Sequence, residues 1–152
     1  MIRSGNNHKP DKCTAVELTV EKELEIRFSE VDMMQVVWHG NYVKYLEDAR
    51  EAFGAKYGLS SLRYIKERLM APIVDMSISY KRPVRLGMKP TVKITYRPTE
   101  AAKIVFDYVI YDKSSGEVFL TASTVQVFMD MEYKLMWYAP DFYSEWKREM
   151  GV

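Results

Sequence analysis

One cysteine, Cys13, stands among the 152 residues, so an internal disulfide is excluded, and so is a metal site built from several thiolates. Histidine is almost as scarce. His8 and His39 are the only two, and His8 falls in a polar N-terminal stretch, which leaves too few imidazoles for a histidine-based metal centre. That stretch, Ser4 to Asp11, lacks the apolar run of a signal peptide. Nor does any apolar run approach the roughly 20 residues that span a bilayer. An excess of one charge is missing too: the formal net charge is +1, which supplies no field to draw the chain onto nucleic acid or an anionic membrane. Phosphate loops, Gly-x-Gly-x-x-Gly, His-Glu-x-x-His and Gly-x-Ser-x-Gly are all absent, as is the aromatic pattern of RNA-binding sheets. A lone thiol without a leader fits a reducing cytoplasm.

Apolar residues make up 47% and charged residues 28% of the chain, the balance of a soluble globular protein. Residues 1–15 are expected to form a flexible tail and 16–152 a single domain, with no repeat or linker dividing it. From Val16 to Phe28 apolar residues alternate with Glu21, Glu23, Glu25 and Arg27, the period of a half-buried strand. Ser29 to Gly40 has no clean period. Asn41 to about Tyr57 then carries a helical stripe (Tyr42, Tyr45, Leu46, Ala49, Ala52, Phe53), with Asn41 as the expected N-cap and Gly58 as the stop. A shorter helix from Ser60 or Ser61 to Arg68 is expected to follow.

Strand patterns occupy Pro72 to Trp137. Val74 to Tyr80, Val92 to Tyr96, Lys103 to Tyr111 and about Glu117 to Met129 alternate or run apolar, with Lys113-Ser-Ser-Gly116 as a hairpin turn. Pro140 and Asp141 open a short C-terminal helix. The order strand, long helix, four strands joined by short loops gives an α+β fold with a five-stranded antiparallel sheet. One helix cannot cover five strands on both faces, so pairing with a second copy is expected.

Chemistry is left to the irregular passage before the helix. Asp32 and His39 both precede a helix N-terminus, where unpaired N–H groups and the dipole favour negative charge. Such an end can stabilise an oxyanion, and a nearby carboxylate can attack a carbonyl or deprotonate water. Glu30 is as close in sequence as Asp32, and an aspartate in a loop also caps turns.

The passage Asp32-Met-Met-Gln-Val-Val-Trp-His39-Gly-Asn-Tyr-Val-Lys-Tyr-Leu-Glu47-Asp-Ala-Arg50 resembles the Asp-x-x-Gly-Val-Val-(Tyr/Phe)-His-x-Asn-Tyr-x-x-(Tyr/Phe)-x-Glu-x-Ala-Arg segment of hot-dog-fold thioesterases. It is most similar to the 4-hydroxybenzoyl-CoA thioesterase-like group, including its Tol–Pal-associated branch. Tyr80-Lys-Arg-Pro-Val-Arg-Leu-Gly87 resembles the family's following turn, and the likeness runs from about Thr19 to Asp130. It implies a hot-dog fold, a long central helix wrapped by the five-stranded antiparallel sheet, as a homodimer or dimer of dimers. It also implies hydrolysis of an acyl-CoA or acyl carrier protein thioester, with no cofactor and no metal beyond that substrate.

By the same resemblance Asp32 falls on the catalytic aspartate, as nucleophile or general base, and the N–H at His39 polarises the thioester carbonyl. Gln35, Trp38, Gly40, Asn41 and Tyr42 become substrate-binding candidates, and Glu47 and Arg50 an ion pair fixing the helix. Between Lys81 and Lys103 there are seven basic residues and one acid; Lys81, Arg82 and Lys103 are the candidates for CoA phosphates, against the alternative that edge lysines merely deter aggregation. Gln35 departs from the family, which carries glycine there. A non-catalytic acyl-thioester-binding or assembly protein and a hot-dog hydratase or dehydratase stay open as alternatives. The dehydratase pattern is disfavoured by Gly40-Asn41 after His39.

Overall fold

The structure, a computed structural model, describes residues 16–152; the expected tail at 1–15, with Cys13 and His8, lies outside them. The first strand, β1, is Thr19–Glu23, shorter than the Val16–Phe28 pattern. Past Glu23 the alternation still sorts burial, since Leu24 and Ile26 enter the core. The ladder, however, ends one residue on: the N–H of Leu24 donates to the Pro90 carbonyl at 2.8 Å, in register with β4, but Pro90 has no N–H to return a bond. Phe28–Glu30 then winds into a 3₁₀ turn. Period 2 reports which side faces the core, not how far a ladder runs.

The long helix α1 spans Tyr42–Tyr57 and is entered through a 3₁₀ turn, His39–Asn41. Asn41 is not the expected cap. Its backbone is already helical (φ −74°, ψ −20°) and its side chain makes no cap bond. Gly58 does end α1, at φ +92°. Helix α2 is Ser61–Lys66, capped by the Ser60 hydroxyl, which accepts from the Arg63 N–H at 3.2 Å. After it come β2 (Leu69–Met70), β3 (Ile73–Tyr80), β4 (Thr91–Arg97), β5 (Lys103–Tyr111), β6 (Val118–Val127), β7 (Met129–Asp130) and α3 (Asp141–Met150).

Five strands form one antiparallel sheet in the order β1-β4-β5-β6-β3. To the expected five is added a ribbon, β2 with β7, because the predicted strand to Met129 breaks at Phe128, which is fully buried. Hairpins join β4, β5 and β6, whereas β3 lies beside β6 and its chain crosses to β4 through residues 81–90. The sheet wraps α1 in the hot-dog arrangement. Leu46 and Phe53 of α1 are buried against Ile94, Tyr96, Ile104 and Phe106.

Helix α3 closes one end of this core. Phe53 lies 4.8 Å from Phe106 and Tyr96 lies 5.2 Å from Trp146, centroid to centroid, while the Trp146 indole N–H donates to the Tyr57 carbonyl at 2.6 Å. The expected Glu47–Arg50 ion pair is not formed. Glu47 is exposed, and the Arg50 guanidinium donates instead to the Tyr108 hydroxyl at 3.2 Å, which shares a 2.8 Å bond with Thr124. The helix is thus tied to β5 and β6 by a cation–phenol–hydroxyl chain. Along the β3 edge, Val74 and Tyr80 remain 58% and 51% exposed, with no strand on their outer side among the described residues.

Candidate functional site

Residues 30–38 fold into a small hairpin. Val31 and Val37 form an antiparallel bridge, and the Trp38 N–H donates to the Glu30 carbonyl at 3.0 Å. At its tip the Gln35 N–H donates to the Asp32 carbonyl at 2.9 Å, and the Asp32 N–H to the Val36 carbonyl at 2.9 Å. This is a type I turn followed by a bulged residue in the left-handed region, a three-residue hairpin loop that normally demands glycine at its last position. Gln35 occupies it at φ +61°. The family's glycine therefore answers a backbone requirement, and glutamine meets it under strain.

Asp32 suits the first position of such a turn. One of its carboxylate oxygens, Oδ1, accepts from the Met34 N–H at 2.8 Å. The other has no partner among the described residues. The half-buried carboxylate lines a hollow of about 520 Å³ with Phe28, Val31, Met33 and Gln35. Met33 and Phe28 are almost fully exposed there, at 101% and 80%, so this wall offers uncovered apolar surface.

The hairpin is docked rather than free. Val37 N–H donates to the Val84 carbonyl at 2.8 Å and Leu86 N–H to the Gln35 carbonyl at 3.0 Å. Its base is locked to the helix start by Asn41, whose buried side-chain amide donates to the Glu30 carbonyl at 2.8 Å. Asn41 is thereby a brace, its amide turned to the Glu30 carbonyl. Behind it lies the Tyr45 hydroxyl, which has no hydrogen-bond partner among the described residues. Burial pushes this phenol up, and the Glu30 charge beside it adds to the effect.

The N–H groups of His39 and Gly40 donate to no acceptor among the described residues, at the very tip of the turn leading into α1. Over that tip lies Trp38. Its indole is tilted against His39, with ring centroids 4.7 Å apart, and covers Gly40 so closely that a Cβ there would fall 2.2 Å from the ring. Gly40 is needed for this close approach. The His39 carbonyl accepts from the Tyr80 hydroxyl at 2.9 Å, which joins the tip to the open sheet edge. Tyr42 turns inward; its hydroxyl accepts from the Val84 N–H at 3.2 Å, and burial raises its pKa.

Not all the expected residues converge. Asp32 and Gln35 share one hollow, whereas the exposed His39 side chain lines a second, of about 270 Å³, with Val37, Tyr42, Tyr80, Lys81, Arg82 and Pro83. Lys81 and Arg82 are therefore beside the helix tip, though Arg82 is already paired with Glu117 at 3.2 Å. Lys103 is not with them. It starts β5 opposite Val127, at the end of the sheet where β3 begins, while Lys81 follows the end of β3. Sequence reasoning missed Tyr80 as a tether and the Glu30 carbonyl as the anchor of the loop. The alternation of β3 placed Tyr80 on a strand face but gave no sign of its partner.

A model of the Thioesterase-like superfamily matches residues 26–146. YneP of Bacillus subtilis (strain 168), provisionally named an acyl-CoA thioesterase, is 32% identical over 112 residues, covering 74% of this chain and 80% of that protein. The chloroplastic acyl-acyl carrier protein thioesterase ATL3 of Arabidopsis thaliana is 29% identical over 114 residues, 75% of this chain and 60% of that one. Among solved structures, the DHNA-CoA thioesterase of Staphylococcus aureus superposes with a TM-score of 0.70 at 26% identity, covering 88% of this chain and 91% of its own. With most of its length matched and the hot-dog architecture in place, the chain belongs to the Thioesterase-like superfamily and is by family a thioester-hydrolysing enzyme.

Proposed function

We propose that the protein hydrolyses an acyl-CoA thioester to the free acid and CoA in the cytoplasm, with Asp32 as nucleophile or general base and the helix tip at His39 as the oxyanion site. The observation that carries this reading is that one braced loop holds both a half-buried carboxylate with one oxygen uncommitted and, at the helix start, two N–H groups without partners among the described residues. In the tetrahedral intermediate the carbonyl oxygen turns anionic, and the N–H groups and dipole at the tip favour it. A thiolate is a good leaving group, so one carboxylate suffices without a full triad. The exposed Phe28, Met33, Met34 and Trp38 offer a deformable apolar surface for the acyl group. Lys81 and Arg82, beside the tip, suit the CoA phosphates. An acyl carrier protein thioester, the substrate class in the Arabidopsis relative's name, is the alternative donor.

The uncovered β3 edge supports a homodimer, in which a second β3 completes the sheet and shelters the exposed site residues. The deciding measurement is thiol release from a panel of acyl-CoA and acyl carrier protein thioesters by the wild type and Asp32→Asn. Asparagine keeps an Oδ1 acceptor for the Met34 N–H, so the turn should persist while turnover falls by at least about 100-fold. Tight binding of acyl-CoA with no thiol release by either protein would mean a binding module instead.

A further inference from the structure

The one strained residue in the Asp32 hollow is Gln35, and its strain calls for a reason. Three positions among the described residues are non-glycine with positive φ: Gln35, Arg68 and Tyr133. Of these, Gln35 lines a cavity together with a carboxylate. Its main chain is fully used, N–H to the Asp32 carbonyl and carbonyl from the Leu86 N–H, and both bonds would survive replacement by glycine. Glycine would also relieve the left-handed backbone. The side chain contributes nothing to the fold that the structure shows: it is exposed, and among the described residues its carboxamide has no hydrogen-bond partner. What it adds is the one neutral hydrogen-bonding side chain on a wall otherwise made of Phe28, Val31, Met33 and the Asp32 carboxylate.

Resting on the thioesterase reading, we infer that the Gln35 carboxamide holds the hydrolytic water against Asp32. The water has two protons and needs two acceptors to aim a lone pair at the thioester carbon. The free oxygen of Asp32 takes one proton, and Gln35 Oε1 accepts a hydrogen bond from the other. As the water oxygen bonds to the carbonyl carbon, its first proton passes to Asp32, and the carbonyl π pair moves to the oxygen facing the helix tip. Collapse of this intermediate re-forms the carbonyl and breaks the carbon–sulfur bond. The CoA thiolate leaves with the electron pair and takes the proton from Asp32, giving the carboxylic acid and CoA thiol. Asp32 then acts as general base, with water as the attacking group. Strain at position 35 is tolerated because the side chain works on the reaction, a pattern common at functional loops.

The test sets stability against turnover in Gln35→Gly and Gln35→Asn. For Gln35→Gly the melting temperature should rise by about 2–4 °C as the backbone relaxes. The same change should lower kcat about tenfold with KM nearly unchanged, the scale of one lost transition-state hydrogen bond. Gln35→Asn, which tolerates the left-handed region and keeps a shorter amide, should lie between. The specific readout is competition between water and added hydroxylamine, corrected for the uncatalysed reaction. Losing the water's acceptor should raise the ratio of acyl hydroxamate to free acid in Gln35→Gly. A raised KM with unchanged kcat would show a contact to the bound substrate instead and overturn the inference, as would an unchanged product ratio or unchanged turnover. A wild type that releases no thiol would sink the hydrolase reading and this inference together; an active wild type alongside an equally active Gln35→Gly sinks this inference alone.

Discussion

At its C-terminal end α1 is clamped by packing. Phe53 is fully buried against Phe106, Tyr57 and Tyr96, and Trp146 reaches from α3 to the last-turn carbonyl of Tyr57. Its first turn is packed too, through Tyr42, Tyr45 and Leu46. The 3₁₀ entry before it, however, is held by single polar bonds (Asn41 amide to the Glu30 carbonyl, Tyr80 hydroxyl to the His39 carbonyl) and leaves two N–H groups without partners among the described residues. One end contributes area removed from water and many dispersion contacts. The other contributes a few directed bonds whose net worth is small but whose geometry is narrow. The contrast teaches that the entry to the helix, where the proposed chemistry lies, rests on directed bonds while the far end rests on packing, so that damage to one end need not reach the other.

The largest effect should come from emptying the packed end. Phe53→Ala is expected to cost about 3–5 kcal/mol, the usual range for a fully buried phenylalanine, measured by denaturant unfolding. At low temperature, where the variant is still folded, thiol release per folded molecule should stay near wild type; a collapse of activity there would show the two ends coupled. At the other end the balance reverses. Asn41→Ala removes one donor from a carbonyl that keeps the Trp38 N–H, so unfolding should lose only about 0.5–1.5 kcal/mol. Turnover should fall more than that stability change explains, because the hairpin bearing Asp32 loses its tie to the helix tip. Equal turnover in Asn41→Ala would erase the distinction.

The smallest effect belongs to the strands. The Tyr111 hydroxyl first and Lys113 second hold the Glu21 carboxyl below its usual range. A depressed folded pKa means this contribution is complete above the unfolded value, about 4.3, and fades as the pH falls through the folded one. Tyr111→Phe should raise the Glu21 titration seen by carboxyl NMR and flatten the acid limb of the melting curve, with turnover at neutral pH untouched. A Glu21 titration that stayed in place would assign the depression to Lys113.

Sequence periodicity located the regular elements because burial imposes it directly: β5 was read as Lys103 to Tyr111 and is Lys103–Tyr111. It could not show that β3 pairs with β6, since partner choice depends on a crossover ten residues long rather than on local pattern. The stretch 29–40 had no period because its residues enter, in turn, a 3₁₀ turn, a bridge, a bulged loop and a second 3₁₀ turn. Family likeness picked Asp32 over Glu30, and the structure gives both a place: the Asp32 carboxylate in the hollow, the Glu30 carbonyl at the hairpin base. Arg50 was expected to meet Glu47 by helical spacing, but a phenol buried in the sheet offered a nearer partner. The basic strip was legible as charge and not as a patch. Arg82 pairs with Glu117, Arg97 with Asp107, and Lys103 lies at the far end of the sheet.

The overlap of the indole at 38 with the bare α-carbon at 40 has a consequence for how such a chain can change. A methyl group at 40 evicts the ring, while a smaller ring at 38 leaves the glycine idle and the turn needlessly loose. The half-exposed indole has room to swing outward, so a change at 40 should cost the cover over the helix entry and leave the fold intact.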